Sequence, residues 1–113
     1  MPREEALQQL LGMAADDVLH VTAAVSLTPD DQVVQATPPT SSTYIISMPP
    51  VCKCKGRIYT IVSVSNDTGT ITVDDLGDAL PGLGSGIVLT TTNDAVVLYS
   101  NGIGWFVIHE IST

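Results

Sequence analysis

Two histidines, two cysteines, three tyrosines, twelve acidic and four basic residues make up the ionisable inventory of this 113-residue chain. His20 and His109 are the only imidazoles that could act as a general base. Glu110 follows His109, but neighbours along a strand point to opposite faces, so the two lack the geometry of a base held by an orienting carboxylate. Cys52 and Cys54 form one C-x-C pair without the second ligand pair of a zinc site. Two positions apart in an extended strand they share a face and sit poorly for bridging each other, so they read as buried or half-buried free thiols, with metal or redox chemistry as the alternative. Asp74, Asp75 and Asp78 around Gly77 match only part of the alternating oxygen spacing of a calcium loop. They read as a solvated turn, with a cation shared at a subunit junction as the alternative. Gly82, Gly84 and Gly86 lack the lysine and helix N-terminus of a phosphate cradle. No catalytic residue, metal ligand or cofactor is assigned, and the chain reads as a non-enzyme.

The basic residues are the most concentrated feature. Lys53, Lys55 and Arg57 hold three of the four positive charges within five positions. In an extended segment they project on one face while Cys52 and Cys54 take the other. Positive charge protects an edge strand against mispairing; it also suits an acidic partner, a sister subunit of this acidic chain included.

The elements that must carry these residues follow from periodicity. Residues 3–20 read as a helix: Pro2 suits a first turn, Glu4 and Glu5 complement the N-terminus, and Leu7, Leu10, Leu11, Ala14, Ala15 and Val18 fall at helical spacing. Residues 21–27 are β-branched and alanine-rich, a strand or an extended arm. Residues 32–36 form a short strand, followed by a stiff polar linker over 37–42. From there the chain reads as β runs punctuated every eight to twelve residues or so, the mark of a sandwich or barrel. Strands are expected over 43–48, 57–64, 70–73, 87–91, 95–100 and 104–111, with a glycine-rich loop over 77–86. Residues 57–64 alternate, which puts Ile58, Thr60, Val62 and Val64 on one side and Tyr59, Ile61 and Ser63 on the other, both faces partly covered. Residues 70–73 are expected to pair back on 57–64 as a hairpin, and Asn101-Gly102 to form a type I′ turn between the last two strands. Trp105 and Phe106 then point oppositely, one into the core and one toward an interface.

The predicted fold is therefore mainly β, a small antiparallel sandwich or barrel-like domain over residues 43–113, with a short N-terminal helix and extended attachment arm over residues 1–42. Only 14% of residues are charged, and neutral Thr, Ser, Gly and Asn supply much of the polar surface. Such surfaces are cheap to cover with other subunits, because little charge has to be desolvated. A net charge of -8 opposes binding to nucleic acid or anionic lipid. No stretch approaches a membrane span, and the first residues lack the order of a signal peptide. With the free thiols, this points to assembly in a cytoplasm.

From residue 44 to 108 the order runs: a strand into Met48-Pro49, Gly56-Arg57 and an alternating strand, a polar turn into Thr70-Ile71-Thr72-Val73, a Gly-rich connection, Val88-Leu89, then a valine-rich strand into Asn101-Gly102 and Trp105. This order resembles β modules of tailed-bacteriophage virion proteins, in capsid decoration (cement) proteins and tail fibres. The resemblance implies a structural, homotrimeric virion protein on the capsid surface, its partners being the major capsid protein and its own copies. The chain shows one copy of the module and no internal repeat, unlike a long fibre. That favours a cement protein, with a tail-fibre or receptor- and glycan-binding module as the alternative using the 77–86 loop and Tyr99. Attachment is expected through Leu7, Leu10, Leu11 and Val18, with Lys53, Lys55 and Arg57 as charged contacts.

Overall fold

In the computed structural model, which describes residues 18–64 and 68–111, alternating apolar residues build nine short strands. They are β1 (Val18–Val21), β2 (Val25–Ser26), β3 (Val33–Ala36), β4 (Thr43–Ser47), β5 (Ile58–Ser63), β6 (Thr70–Asp74), β7 (Ile87–Leu89), β8 (Ala95–Ser100) and β9 (Trp105–Ile111). A five-stranded sheet has the order β1-β3-β5-β8-β9, and a four-stranded sheet the order β2-β4-β6-β7. The chain crosses from one sheet to the other and back, so β1, β3 and β5 lie side by side in parallel, as do β2, β4 and β6. Only the last three strands pair antiparallel: β7 on β6, β8 on β5 and β9 on β8.

Two successive coils stack in one register. Val33 pairs with Thr60 and Thr43 with Thr70, the same step of 27 residues, and it holds along both strand pairs. The step extends into the turn, where the Ser41 amide donates to Thr68 Oγ1 at 2.9 Å, and the Thr43 and Thr70 hydroxyls lie 2.7 Å apart. Thr43 over Thr70 is the one identity between residues 33–47 and 60–74. The repeat is thus one of apolar parity and position, which a comparison of residue types does not find.

One face of each strand fills the space between the sheets. Val34, Ala36, Tyr59, Ile61, Val96 and Leu98 from the larger sheet meet Ile46, Ile71, Val73 and Leu89 from the smaller. Val21 and Leu27 join the same cluster, so residues 18–42 contribute strands and core side chains to the one packed body. Trp105 closes one end, its ring edge-on to Tyr59 at 5.5 Å between centroids.

The mainly β reading holds, whereas several finer expectations are corrected. The sheets are mixed, not antiparallel, and open, since β1 and β9 are the two edges of the larger one and no barrel closes. The 70–73 run does not pair with 57–64. Tyr59 and Ile61 on β5 and Ile71 and Val73 on β6 instead face one another across the core. The predicted helix over 3–20 lies outside the described residues as far as residue 17; its last part, with Val18, is strand β1. β-branched Val18 and Val21 flank a stretch that pairs residue by residue with β3. Asn101 and Gly102 do lie between β8 and β9, but Ser100 pairs with Trp105, which leaves a four-residue connection. Asn101 Oδ1 accepts from the amides of Ile103 and Gly104 at 2.9 and 2.8 Å, and this side-chain turn replaces the two-residue one.

Candidate functional site

The basic cluster does not form a free extended stripe. Residues Val51–Lys53 make one turn of 3-10 helix, and the chain turns back at Gly56, whose φ of 78° is the left-handed conformation that favours glycine. Three bonds pin the segment: Asp78 Oδ2 accepts from the Val51 amide at 3.2 Å, Ser100 Oγ donates to the Val51 carbonyl at 2.8 Å, and the Gly56 amide donates to the Ser100 carbonyl at 2.8 Å. Arg57 turns inward to the chain itself, donating through Nη1 to Asp30 Oδ1 and to the Pro29 carbonyl, each at 2.8 Å. Lys53 and Lys55 stay exposed. Of the predicted contacts, Leu7, Leu10 and Leu11 lie outside the described residues. Val18 is half-buried on β1, at the opposite edge of the sheet from β9.

The other reactive groups act as supports. Both cysteines are free thiols, but only Cys54 is buried; Cys52, expected to be at least half-buried, is exposed because Val51–Lys53 form a 3-10 turn and not an extended strand. Burial pushes the Cys54 thiol pKa up, and burial together with the hydrogen-bonded Cys54 raises that of the Tyr59 phenol. Tyr59 donates its hydroxyl to the Pro29 carbonyl at 2.7 Å. Asp75 holds the glycine-rich loop, its two oxygens accepting from the amides of Gly77 and Leu83 at 3.0 and 2.9 Å. Asp94 is fully buried and accepts from the amides and hydroxyls of Thr90 and Thr91. Among the described residues no group of three His, Cys, Asp or Glu side chains is placed to hold a metal ion. His109 and Glu110 pair with Val97 and Val96 respectively, hence on opposite faces as expected.

What the strands do bring together is an apolar surface. The residues of the larger sheet that do not face the core fall in three rows across it. One row runs Val18, Val33, Thr60, Val97 and His109; a second runs His20, Gln35, Val62, Ala95 and Ile111. The third joins Ile58, Tyr99 and Phe106, the two rings stacked at 5.2 Å between centroids and 22° between planes. No Asp, Glu, Lys or Arg stands at any of these positions. Ile58 is 51% exposed and Ile111 44%. Beyond the half-buried Phe106, every residue of β9 from Val107 to Ile111 is exposed, those on the core side included.

The outer face of the smaller sheet is built differently. Thr43, Ile45 and Ser47 pair with Thr70, Thr72 and Asp74, and Val88 lies beside Thr72. Hydroxyls and a carboxylate predominate there. The sequence signal for the apolar face was the two-sided apolar character of β5, where Ile58 and Val62 alternate with Tyr59 and Ile61. That β1, β3, β8 and β9 continue it depends on parallel pairings between distant segments. Trp105 is the buried member of the Trp105-Phe106 pair, and Phe106 lies half-buried on the outer face of the sheet, stacked on Tyr99. Trp105 Nε1 is buried without a hydrogen-bond partner among the described residues.

No protein-family model, curated protein or solved structure matches the chain.

Proposed function

We propose that this chain is a structural protein of a tailed-bacteriophage virion, which binds the outer capsid surface as an oligomer, a homotrimer by the module it resembles, and cements the shell. The observation that carries the reading is the uncharged apolar face of the five-stranded sheet. An exposed surface of this kind is a contact surface, because leaving its side chains in water costs about 25 cal/mol for each Å² that a partner could cover.

Cementing needs no chemistry. A protein that binds the assembled shell but not its dissociated subunits stabilises the shell by mass action, by about 2.7 kcal/mol per site at a hundredfold excess over Kd. The N-terminal residues Leu7, Leu10 and Leu11, with Lys53 and Lys55, are the proposed grip on the major capsid protein. Arg57 drops out of the electrostatic set, since its guanidinium is engaged with Asp30 and Pro29.

The second reading, a tail-fibre or glycan-binding module, is favoured by one feature: the stacked Tyr99 and Phe106 rings offer a flat aromatic platform of the kind sugars pack against. Co-sedimentation with empty capsids separates the two. Saturable binding to shells, with density on the capsid surface in electron micrographs of the particle, is the expected result. Binding to host cells or polysaccharide with none to shells overturns the cement reading.

A further inference from the structure

We propose that the outer face of the five-stranded sheet is the contact between copies of this chain, packed sheet against sheet. The inference rests on the reading of the protein as an assembling structural subunit, but a face that meets the same face of a second copy is used up in a pair, so this contact makes a dimer and not the homotrimer that the resembled module implies.

Charge selects the occupant. The chain carries a net charge of -8, so copies approaching by most sides bring carboxylates together. On this face they do not: its rows hold Val33, Thr60 and Val97 at the centre, with the uncharged pair Tyr99 and Phe106 to one side. A basic partner would find no carboxylate in these rows to pair with, and an acidic one no Lys or Arg, only the imidazoles of His20 and His109 at the ends of the rows. The face matches a surface as neutral as itself. The outer face of the smaller sheet, with its hydroxyls and Asp74, is not one.

Size agrees. Five strands about 4.8 Å apart and about five residues of each at about 3.4 Å give roughly 400 Å² in projection. With side-chain corrugation and the exposed length of β9, two such faces bury on the order of 1,000 Å², the low end of specific interfaces. β9 borders the face and has no Lys or Pro along its edge, though its register on β8 is interrupted between Val97 and Leu98; its exposed Ile111 belongs to the face, whereas Val107 pairs with core-facing Leu98. β-branched rows on two twisted sheets interdigitate at about 10 Å separation, the ordinary geometry of a sandwich.

The test uses the full chain. Thr60→Glu and Val97→Lys each place a charge at the centre of the face, and Val88→Lys places one on the opposite side of the molecule. In sedimentation velocity across the micromolar range the parent protein and Val88→Lys are expected to run at twice the protomer mass. The two face variants are expected to run as single chains, with self-association at least about thirtyfold weaker and an unchanged strand signal in circular dichroism. Hydroxyl-radical footprinting of the parent checks the surface without substitution: Tyr99 and Phe106 are protected at high concentration and oxidised on dilution. A parent protein that sediments as one chain overturns the proposal. So do face variants that keep the parent's mass, and so does protection of Tyr99 and Phe106 within a single chain, the result if residues 1–17 cover the face from Val18. Failure of the cement reading looks different: an oligomer that forms through this face and binds no shell removes the capsid role and leaves the self-contact standing.

Discussion

Tyr59 joins three parts of the chain through one side chain. Its ring packs edge-on against Trp105, its hydroxyl donates to the Pro29 carbonyl, and Cys54 lies within hydrogen-bonding reach of it. Tyr59→Phe keeps the ring packing and removes the hydroxyl, leaving Arg57 to satisfy the Pro29 carbonyl. The expected cost is about 1 kcal/mol, a fall in Tm of about 4 to 8 °C in a thermal melt. An unchanged Tm would show that the hydroxyl does not hold the Pro29 turn. Ionisation supplies a second prediction at the same scale. Burial raises the pKa of the Cys54 thiol from its ordinary 9.0, and those of the Tyr44 and Tyr59 phenols from 10.0. In the unfolded chain these groups lose their protons at the ordinary values, while the folded protein holds them to higher pH. Below about pH 9 both states are protonated and the contribution is fully present; above it the unfolded state binds fewer protons and stability falls as pH rises. Melts at pH 7, 9 and 10.5 are expected to show a Tm that is lowest at the highest pH, with a smaller fall in Tyr59→Phe. An alkaline Tm equal to that at pH 7 contradicts the burial of these groups.

At the level of elements, stacking of one coil on the next is what the sequence concealed. The short strands, the glycine-rich loop and the alternation of residues 58–63 were legible, because side-chain parity is a local property. Which strands lie side by side was not. Residues 57–64 and 70–73 are separated by a polar turn and carry strand patterns, which is also what a hairpin looks like. The decision between hairpin and crossover lies in the fit of each strand to the previous coil, 27 residues away. The same dependence hid the apolar face, whose three rows draw on up to five strands from both halves of the chain. The basic cluster misled for a local reason: Lys53, Lys55 and Arg57 alternate as a strand would, but Pro49-Pro50 and Gly56 turn the chain. Gly69 marks where the coils touch. A Cβ there would overlap the carbonyl oxygens of Pro39 and Ser42, backbone atoms that cannot swing aside. Gly69→Ala is expected to cost several kcal/mol, on the order of 2 to 4, by prising the β3-β4 connection from the start of β6. Chemical denaturation measures it. A cost below about 0.5 kcal/mol, the ordinary range for surface substitutions, would mean that the coils do not stack this closely.

For the whole molecule, the two kinds of contact proposed should respond to salt with opposite signs. Self-contact through an uncharged face gains nothing from Coulomb attraction and works against the repulsion between copies that each carry -8. Attachment through Lys53 and Lys55 to an acidic surface gains from attraction, which salt removes. Raising ionic strength from 0.01 to 0.15 M shortens the screening length from about 30 to about 8 Å, less than the width of this sheet. Self-association measured by sedimentation equilibrium is therefore expected to strengthen over that range, while binding to shells, scored per chain at fixed oligomer concentration, weakens. A chain beginning at Val18 keeps the nine described strands and the buried cluster they form. It should keep the salt-strengthened self-association and lose most of the shell binding. A chain beginning after Ala36 loses β1, β2 and β3, with Val21, Leu27, Val34 and Ala36 from the core, and is expected not to fold. Self-association that weakens as salt rises would place ion pairs in the contact between copies and move that contact off the uncharged face.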